Sequence, residues 1–179
     1  MNFIELPSPN FDQRRFPISM IVLHYTGMET AQAALDRLAD PAAKVSAHFV
    51  VAEDGQVVRM VDEANRAWHA GRSEWRGMMD VNSASIGIEI VNPGHEFGYR
   101  PLPEPHMSAV EGLVADIAQR YRIASAMVVG HSDIAPARKQ DPGELFDWPR
   151  LARAGLATPI PTDGFDPNWY DMGFLAALK

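Results

Sequence analysis

The stretch ISMIVLHYT, residues 18–26, decides the fold. A strand with one face in water alternates apolar and polar residues, whereas a strand covered on both faces reads as a nearly continuous apolar and β-branched run. Residues 18–26 are of the second kind, so they predict a central strand with packing layers above and below. Working outward, Thr30 is placed to cap a helix whose Ala31, Ala34, Leu35 and Leu38 keep helical spacing until Pro41. SAHFVVAEDGQVVRMVDE, residues 46–63, holds two β-rich segments around Asp54-Gly55, a pair that favours the positive φ of hairpin turns. SIGIEIVN (residues 85–92) and AMVVGH (residues 126–131) read as two further strands. Between them Pro105 starts a helix with one apolar stripe of Met107, Val110, Leu113, Val114, Ile117, Ala118 and Tyr121. A short helical piece follows Trp148 and ends near Gly155. Strands and helices alternate and one hairpin is present, which predicts an α/β (α+β) fold with a central mixed β-sheet flanked by helices. Residues 1–155 are expected to form one domain, with residues 156–179 as a linker and short C-terminal tail.

The composition narrows the function. The chain has 179 residues, 46% hydrophobic and 22% charged, the balance of one globular domain. Its formal net charge of −7 offers no basic face to a phosphate backbone, so no nucleic-acid partner is expected. With no cysteine, disulfides, thiolate metal ligands and a Cys nucleophile are excluded. Any metal must be held by His and carboxylates. No apolar run long enough to span a membrane occurs, and MNFIELPSPNFDQRRF has no apolar core of an export signal. The expectation is a cytoplasmic protein, or an envelope one if the native chain is exported. Gly-rich phosphate loops, GxSxG and HExxH are all missing from the sequence.

The chemistry gathers at strand ends. His24 closes the first central strand and His131 the last, and ligand crevices in open α/β sheets form at the carboxyl ends of strands. A catalytic zinc needs about three protein ligands and an open position, so a carboxylate should complete the pair. Asp133 and Asp141 are the candidates. Asp133 sits where an Asp commonly caps a turn. Asp141 precedes Pro142, which restricts its backbone and therefore the direction of its carboxylate. In an extended stretch Lys139 and Asp141 project to one side, although Arg138 and Lys139 equally fit a solvated charge pair. Glu89 stands in mid-strand on the face opposite Ile86, Ile88 and Ile90. If buried, it has a raised pKa suited to proton transfer; on an edge strand it is an ordinary surface residue. AWHAGRSEWRG, residues 67–77, combines aromatic faces with polar donors, which suits a sugar or peptide ligand or else an ordered loop anchored by Trp68. His48 reads as a satisfied strand residue.

Taken together, VLHYT, VSAHFVVAEDGQVVRMVDEANRAWHAG, SIGIEIVNPG and VVGHSDIAPARKQDPG resemble the zinc-dependent N-acetylmuramoyl-L-alanine amidases of bacterial cell-wall turnover and recycling. The resemblance runs from Ser8 to about Trp148. It implies the fold shared with phage amidases and peptidoglycan recognition proteins, and one zinc per chain on His24, His131 and Asp141. It also implies Glu89 as the acid/base carboxylate, Lys139 near the oxyanion, and substrate contacts from Tyr25, Trp68, His69 and Asn82. The implied reaction is hydrolysis of the amide between the lactyl group of N-acetylmuramic acid, or its 1,6-anhydro form, and L-alanine, with a muropeptide as partner. Some relatives use a Cys as third ligand, which this chain lacks. Others carry a catalytic Tyr where Ala47 stands, which leaves the acid/base role to Glu89. RAWHAGRSEWRG and EIVNPG look closer to the broad-specificity, envelope-anchored type than to the cytosolic recycling type, and NWYDMGFLAALK resembles only the beginning of an appended peptidoglycan-binding module. Two other readings remain: a non-catalytic peptidoglycan-binding module, and a zinc metallopeptidase acting on other peptide bonds.

Overall fold

A computed structural model describes residues 2–159; most of the tail expected after residue 155 therefore lies outside the described residues. The strands are β1 (Ile4–Glu5), β2 (Phe11–Gln13), β3 (Met20–Tyr25), β4 (Phe49–Val51), β5 (Val57–Arg59), β6 (Asn65–Ala67), β7 (Ser85–Ile90) and β8 (Val128–Gly130). The helices are α1 (Ala31–Ala39), α2 (Val81–Ala84), α3 (Gly94–Phe97), α4 (Glu104–Tyr121), α5 (His131–Ile134) and α6 (Trp148–Arg153). The main sheet has the order β1-β5-β4-β7-β3-β8, and β2 pairs separately with β6. β3 runs parallel to both β7 and β8, β4 parallel to β7, and β4 antiparallel to β5, so the sheet is mixed as expected.

β3 is an interior strand, and every residue from Met20 to His24 is buried. Its two faces feed two different layers. Ile21 and Leu23, with Ile86, Ile88 and Ile90 of β7, pack on the stripe Met107, Val110, Leu113, Val114 and Ile117 of α4. Each such side chain contributes about 1.5–3 kcal/mol on leaving water, so this layer is the principal source of stability. Met20 and Val22 face the other way, onto Val81 and Ala84 of α2, Val129, and Ile134 of α5. Leu38 of α1 packs with Val50 and Val58 further along that same face. A gap is left between these two patches, and the next residue on the Met20–Val22 face of β3 is His24.

The hairpin forms at the predicted pair. The Asp54 carboxylate accepts from the Gln56 amide, and Gly55 takes φ +87 while approaching the Pro105 carbonyl too closely for a Cβ. α1 is capped by Thr30, whose hydroxyl accepts from the Ala33 amide at 3.1 Å. Glu89 lies on β7, which is flanked by β4 and β3, so the edge-strand alternative fails: its neighbours in register are Val50 and His24. Among the described residues no helix is long and apolar enough to cross a membrane.

Candidate metal centre

The parallel strands β3, β7 and β8 all end at one side of the sheet, and the candidate residues collect there. His24 is the penultimate residue of β3, Glu89 stands beside it on β7, and His131 follows β8 directly as the first residue of α5. Asp133 closes that short helix at its start, its Oδ2 accepting from the Gly130 amide at 2.7 Å. It is therefore the turn-capping Asp of the pair. Asp141 is the one that reaches back to the histidines, and its carbonyl is held by the Ser132 amide at 2.8 Å. The Asp141–Pro142 peptide is cis.

His24 Nδ1, His131 Nδ1 and Asp141 Oδ2 form a nearly equilateral triangle, with separations of 2.9, 3.0 and 3.0 Å. All three residues are buried, at 1%, 3% and 5% exposure, and among the described residues they are the set that could hold a metal ion. Atoms sharing a tetrahedral zinc at about 2.0–2.1 Å stand about 3.3 Å apart, close to the observed triangle. The proton arrangement fits as well. His131 Nε2 lies 3.1 Å from the Ala70 carbonyl, which can only accept, so the ring proton sits on Nε2 and Nδ1 presents a lone pair. Asp141 turns a carboxylate oxygen to the same point. Lone pairs turned toward an anion repel one another, and a cation among them removes the repulsion. The residues present thus fit zinc, and the site offers His and carboxylate ligands where cysteine is unavailable.

The triangle opens into a cleft of about 830 Å³ whose wall includes Tyr25, Trp68, Glu89, Arg138 and Lys139. One carboxyl oxygen of Glu89, Oε2, is buried with no hydrogen-bond partner among the described residues. Burial first, then the Asp141 charge, push the Glu89 carboxyl well above its usual range, with Lys139 opposing. Lys139 is half-buried in the same wall, so the structure brings it and Asp141 to one cleft, the arrangement expected for alternate positions of an extended run. Arg138 is engaged differently. Its guanidinium donates to the carbonyls of Ala70, at 2.5 Å, and of Arg72, at 2.6 Å, tying the ligand-bearing loop to residues 70–72.

The expected substrate contacts divide. Tyr25 and Trp68 line the cleft, and the Tyr25 hydroxyl meets His95 Nδ1 at 3.0 Å while His95 Nε2 meets Glu144 at 2.9 Å. His95, to which the sequence had assigned nothing, is thereby part of the cleft wall. Asn82 is buried outside the cleft lining, and its Oδ1 accepts from the amides of His69 and Ala70 at 3.0 and 2.7 Å. It suspends the loop that carries His69 and Ala70. His69 reaches the cleft with little exposed surface, and both ring nitrogens are committed inside the protein, to His24 and to Ser85. His48 is satisfied as expected, accepting from the Gly87 amide at 2.9 Å, and burial lowers its ring to about 3.

Residues 14–144 match the family model described as N-acetylmuramoyl-L-alanine amidase. The chain is 38% identical over 157 residues to N-acetylmuramoyl-L-alanine amidase AmiD of Escherichia coli, a match covering 80% of this chain and 56% of that one. It therefore spans little more than half of that relative's length. The 1,6-anhydro-N-acetylmuramyl-L-alanine amidase AmpD of Haemophilus influenzae is 32% identical over 166 residues, covering 82% of this chain and 88% of the relative. Among solved structures, AmiD from E. coli in complex with anhydro-N-acetylmuramic acid-L-Ala-D-γ-Glu-L-Lys superposes with a TM-score of 0.74 at 36% identity, over 81% of this chain and 60% of that one. The chain belongs to the N-acetylmuramoyl-L-alanine amidase family.

Proposed function

We propose that the protein is a zinc-dependent amidase that hydrolyses the bond between the lactyl carbonyl of N-acetylmuramic acid, or its 1,6-anhydro form, and L-alanine in peptidoglycan fragments. The observation that carries this reading is the convergence of His24 Nδ1, His131 Nδ1 and Asp141 Oδ2 at the floor of a cleft beside Glu89, whose Oε2 is buried with no hydrogen-bond partner among the described residues. Zinc held by the three residues would supply Lewis acidity, polarising the carbonyl and making water acidic enough to ionise near pH 7.

The rest falls to the chain's own groups. Glu89 takes the proton of the attacking water at its free oxygen and returns it to the alanine nitrogen as the carbon–nitrogen bond breaks, leaving a lactyl carboxylate and a free amine. Its raised pKa suits a group that must hold a proton between two steps, and a cation in the triangle moderates the shift. The Lys139 ammonium meets the charge that develops on the carbonyl oxygen. Trp68 and Tyr25 supply aromatic surface for the sugar or the stem peptide. Incubation with a muropeptide, with and without chelator, tests the proposal by product mass. Cleavage that adds one water, frees the L-alanine amine, stops on chelation and returns with zinc is the expected result. Cleavage between amino acids, or binding without cleavage after zinc is restored, overturns it.

A further inference from the structure

We infer that His69 and Ser85 are positioning residues for the metal: a hydrogen-bond relay through them fixes which nitrogen of His24 faces the cation. The inference rests on the metal-site reading above and goes beyond the ligands themselves. Ser85 Oγ lies 2.6 Å from the Val81 carbonyl, which can only accept, so the single hydroxyl proton is spent there. Ser85 Oγ therefore accepts from His69 Nε2, 3.2 Å away, which must carry the His69 proton. His69 is buried and neither ring nitrogen meets a carboxylate, so a charged ring would be uncompensated and the ring carries one proton only. Its Nδ1 is then an acceptor, and it receives Nε2–H of His24 at 3.0 Å. With its proton on Nε2, His24 is left with Nδ1 as the lone pair in the triangle.

Two independent features show a place built for the His69 ring. Gly87 lies opposite it on β7, and a Cβ there would meet the ring, with Cδ2 at 2.5 Å and Nδ1 at 2.7 Å. The space that any other residue of β7 would fill is occupied by the imidazole. Asn82 Oδ1 holds the amides of His69 and of Ala70, the residue whose carbonyl fixes the His131 proton on Nε2. One buried asparagine thus suspends the segment that orients both histidine ligands, so the WHAG stretch serves the metal from behind as well as lining the cleft. Outer partners of this kind typically change metal affinity 10–100-fold.

The test separates orientation from packing. His69→Phe keeps the ring and removes the relay, and His69→Gln keeps an acceptor and a donor with poorer shape. Zinc affinity of each full-length variant is read by competition with a chromophoric chelator. The relay predicts a 10–100-fold loss for Phe and a smaller loss for Gln; packing alone predicts the reverse order, and that order overturns the inference. Ser85→Ala, a small change, gives the second reading if either His69 variant fails to fold: weaker zinc binding with an unchanged melting temperature of the metal-free protein is expected, and unchanged affinity refutes the relay. Nitrogen NMR of the metal-free wild type needs no zinc at all. His24 should carry its proton on Nε2, and a proton on Nδ1 would overturn the inference even if zinc binds. Failure of wild-type zinc binding with the Nε2 proton in place would instead overturn the proposed function alone.

Discussion

Gly87→Ala puts the most direct mechanical load on the site without touching a ligand. The φ of Gly87 is not positive, so alanine meets no backbone penalty, and exchanging Gly for Ala within a strand alone should stabilise by about 0.5–1 kcal/mol. The added methyl, however, stands 2.5–2.7 Å from His69 ring atoms, where ordinary contacts begin near 3.4 Å. The ring must withdraw by roughly 1 Å, which stretches the 3.0 Å His24–His69 hydrogen bond to about 4 Å and breaks it. Overpacking costs about 1–3 kcal/mol and the lost hydrogen bond about 1 kcal/mol, so net destabilisation of about 1–3 kcal/mol is expected in urea unfolding of the metal-free protein. Zinc affinity should fall at least tenfold, because His24 is no longer held in one tautomer. A variant with wild-type zinc affinity and a higher unfolding midpoint would refute the reasoning, since it would mean that the ring is not held against β7.

The other expectations concern the cleft and its histidines. Glu89→Gln should lower turnover by about 10²–10⁴ while zinc stays bound, measured by muropeptide cleavage beside metal analysis; retained turnover removes the acid/base assignment. Lys139→Ala should cost on the order of 10²–10³ in kcat with the metal content unchanged. Asp141→Ala should instead lose zinc, because it deletes one of three ligands and the anion between two histidines, and full occupancy would contradict the ligand set. Acid should unfold the metal-free protein early. His48 titrates near 6.5 unfolded and about 3 folded, so the unfolded chain takes up the proton first and stability falls as pH drops from about 6.5 toward 3. His24 acts in the same direction down to about 4, and Glu89, whose folded pKa is raised, opposes both. Urea midpoints that rise on acidification from pH 6.5 to 4.5 would contradict the buried, neutral rings.

The elements legible in the sequence are those with a physical period or a long apolar run. β3 and β7 are continuous apolar stretches, α4 shows its stripe, and Asp54-Gly55 announces the hairpin. β1, β2, β6, α2, α3 and α5 are two to four residues long, too short to display a period, and FDQ or NRA carries no pattern that separates strand from loop. The clustering of His24, His131 and Asp141 was foreshadowed by strand ends and by a carboxylate before a proline, and the place of Glu89 beside it by one charge in an apolar strand. The outer partners were not legible, because His69 meets His24 across 45 residues and Ser85 meets His69 across 16 through tertiary packing. One signal pointed there: Gly87, an isolated glycine inside a strand, marks a close approach by another group. The aromatic and polar make-up of residues 67–77 was read as a binding loop, and in the structure Trp68 faces the cleft while His69 and Ala70 face the candidate ligands.

Anomalous diffraction at the zinc edge from crystals of the zinc-loaded protein tests the central claim most directly. The account predicts one zinc per chain, bonded to Nδ1 of His24, Nδ1 of His131 and one carboxylate oxygen of Asp141, with Glu89 close by but not bonded. Zinc bound through an Nε2 nitrogen, or a peak located away from these three residues, would contradict it.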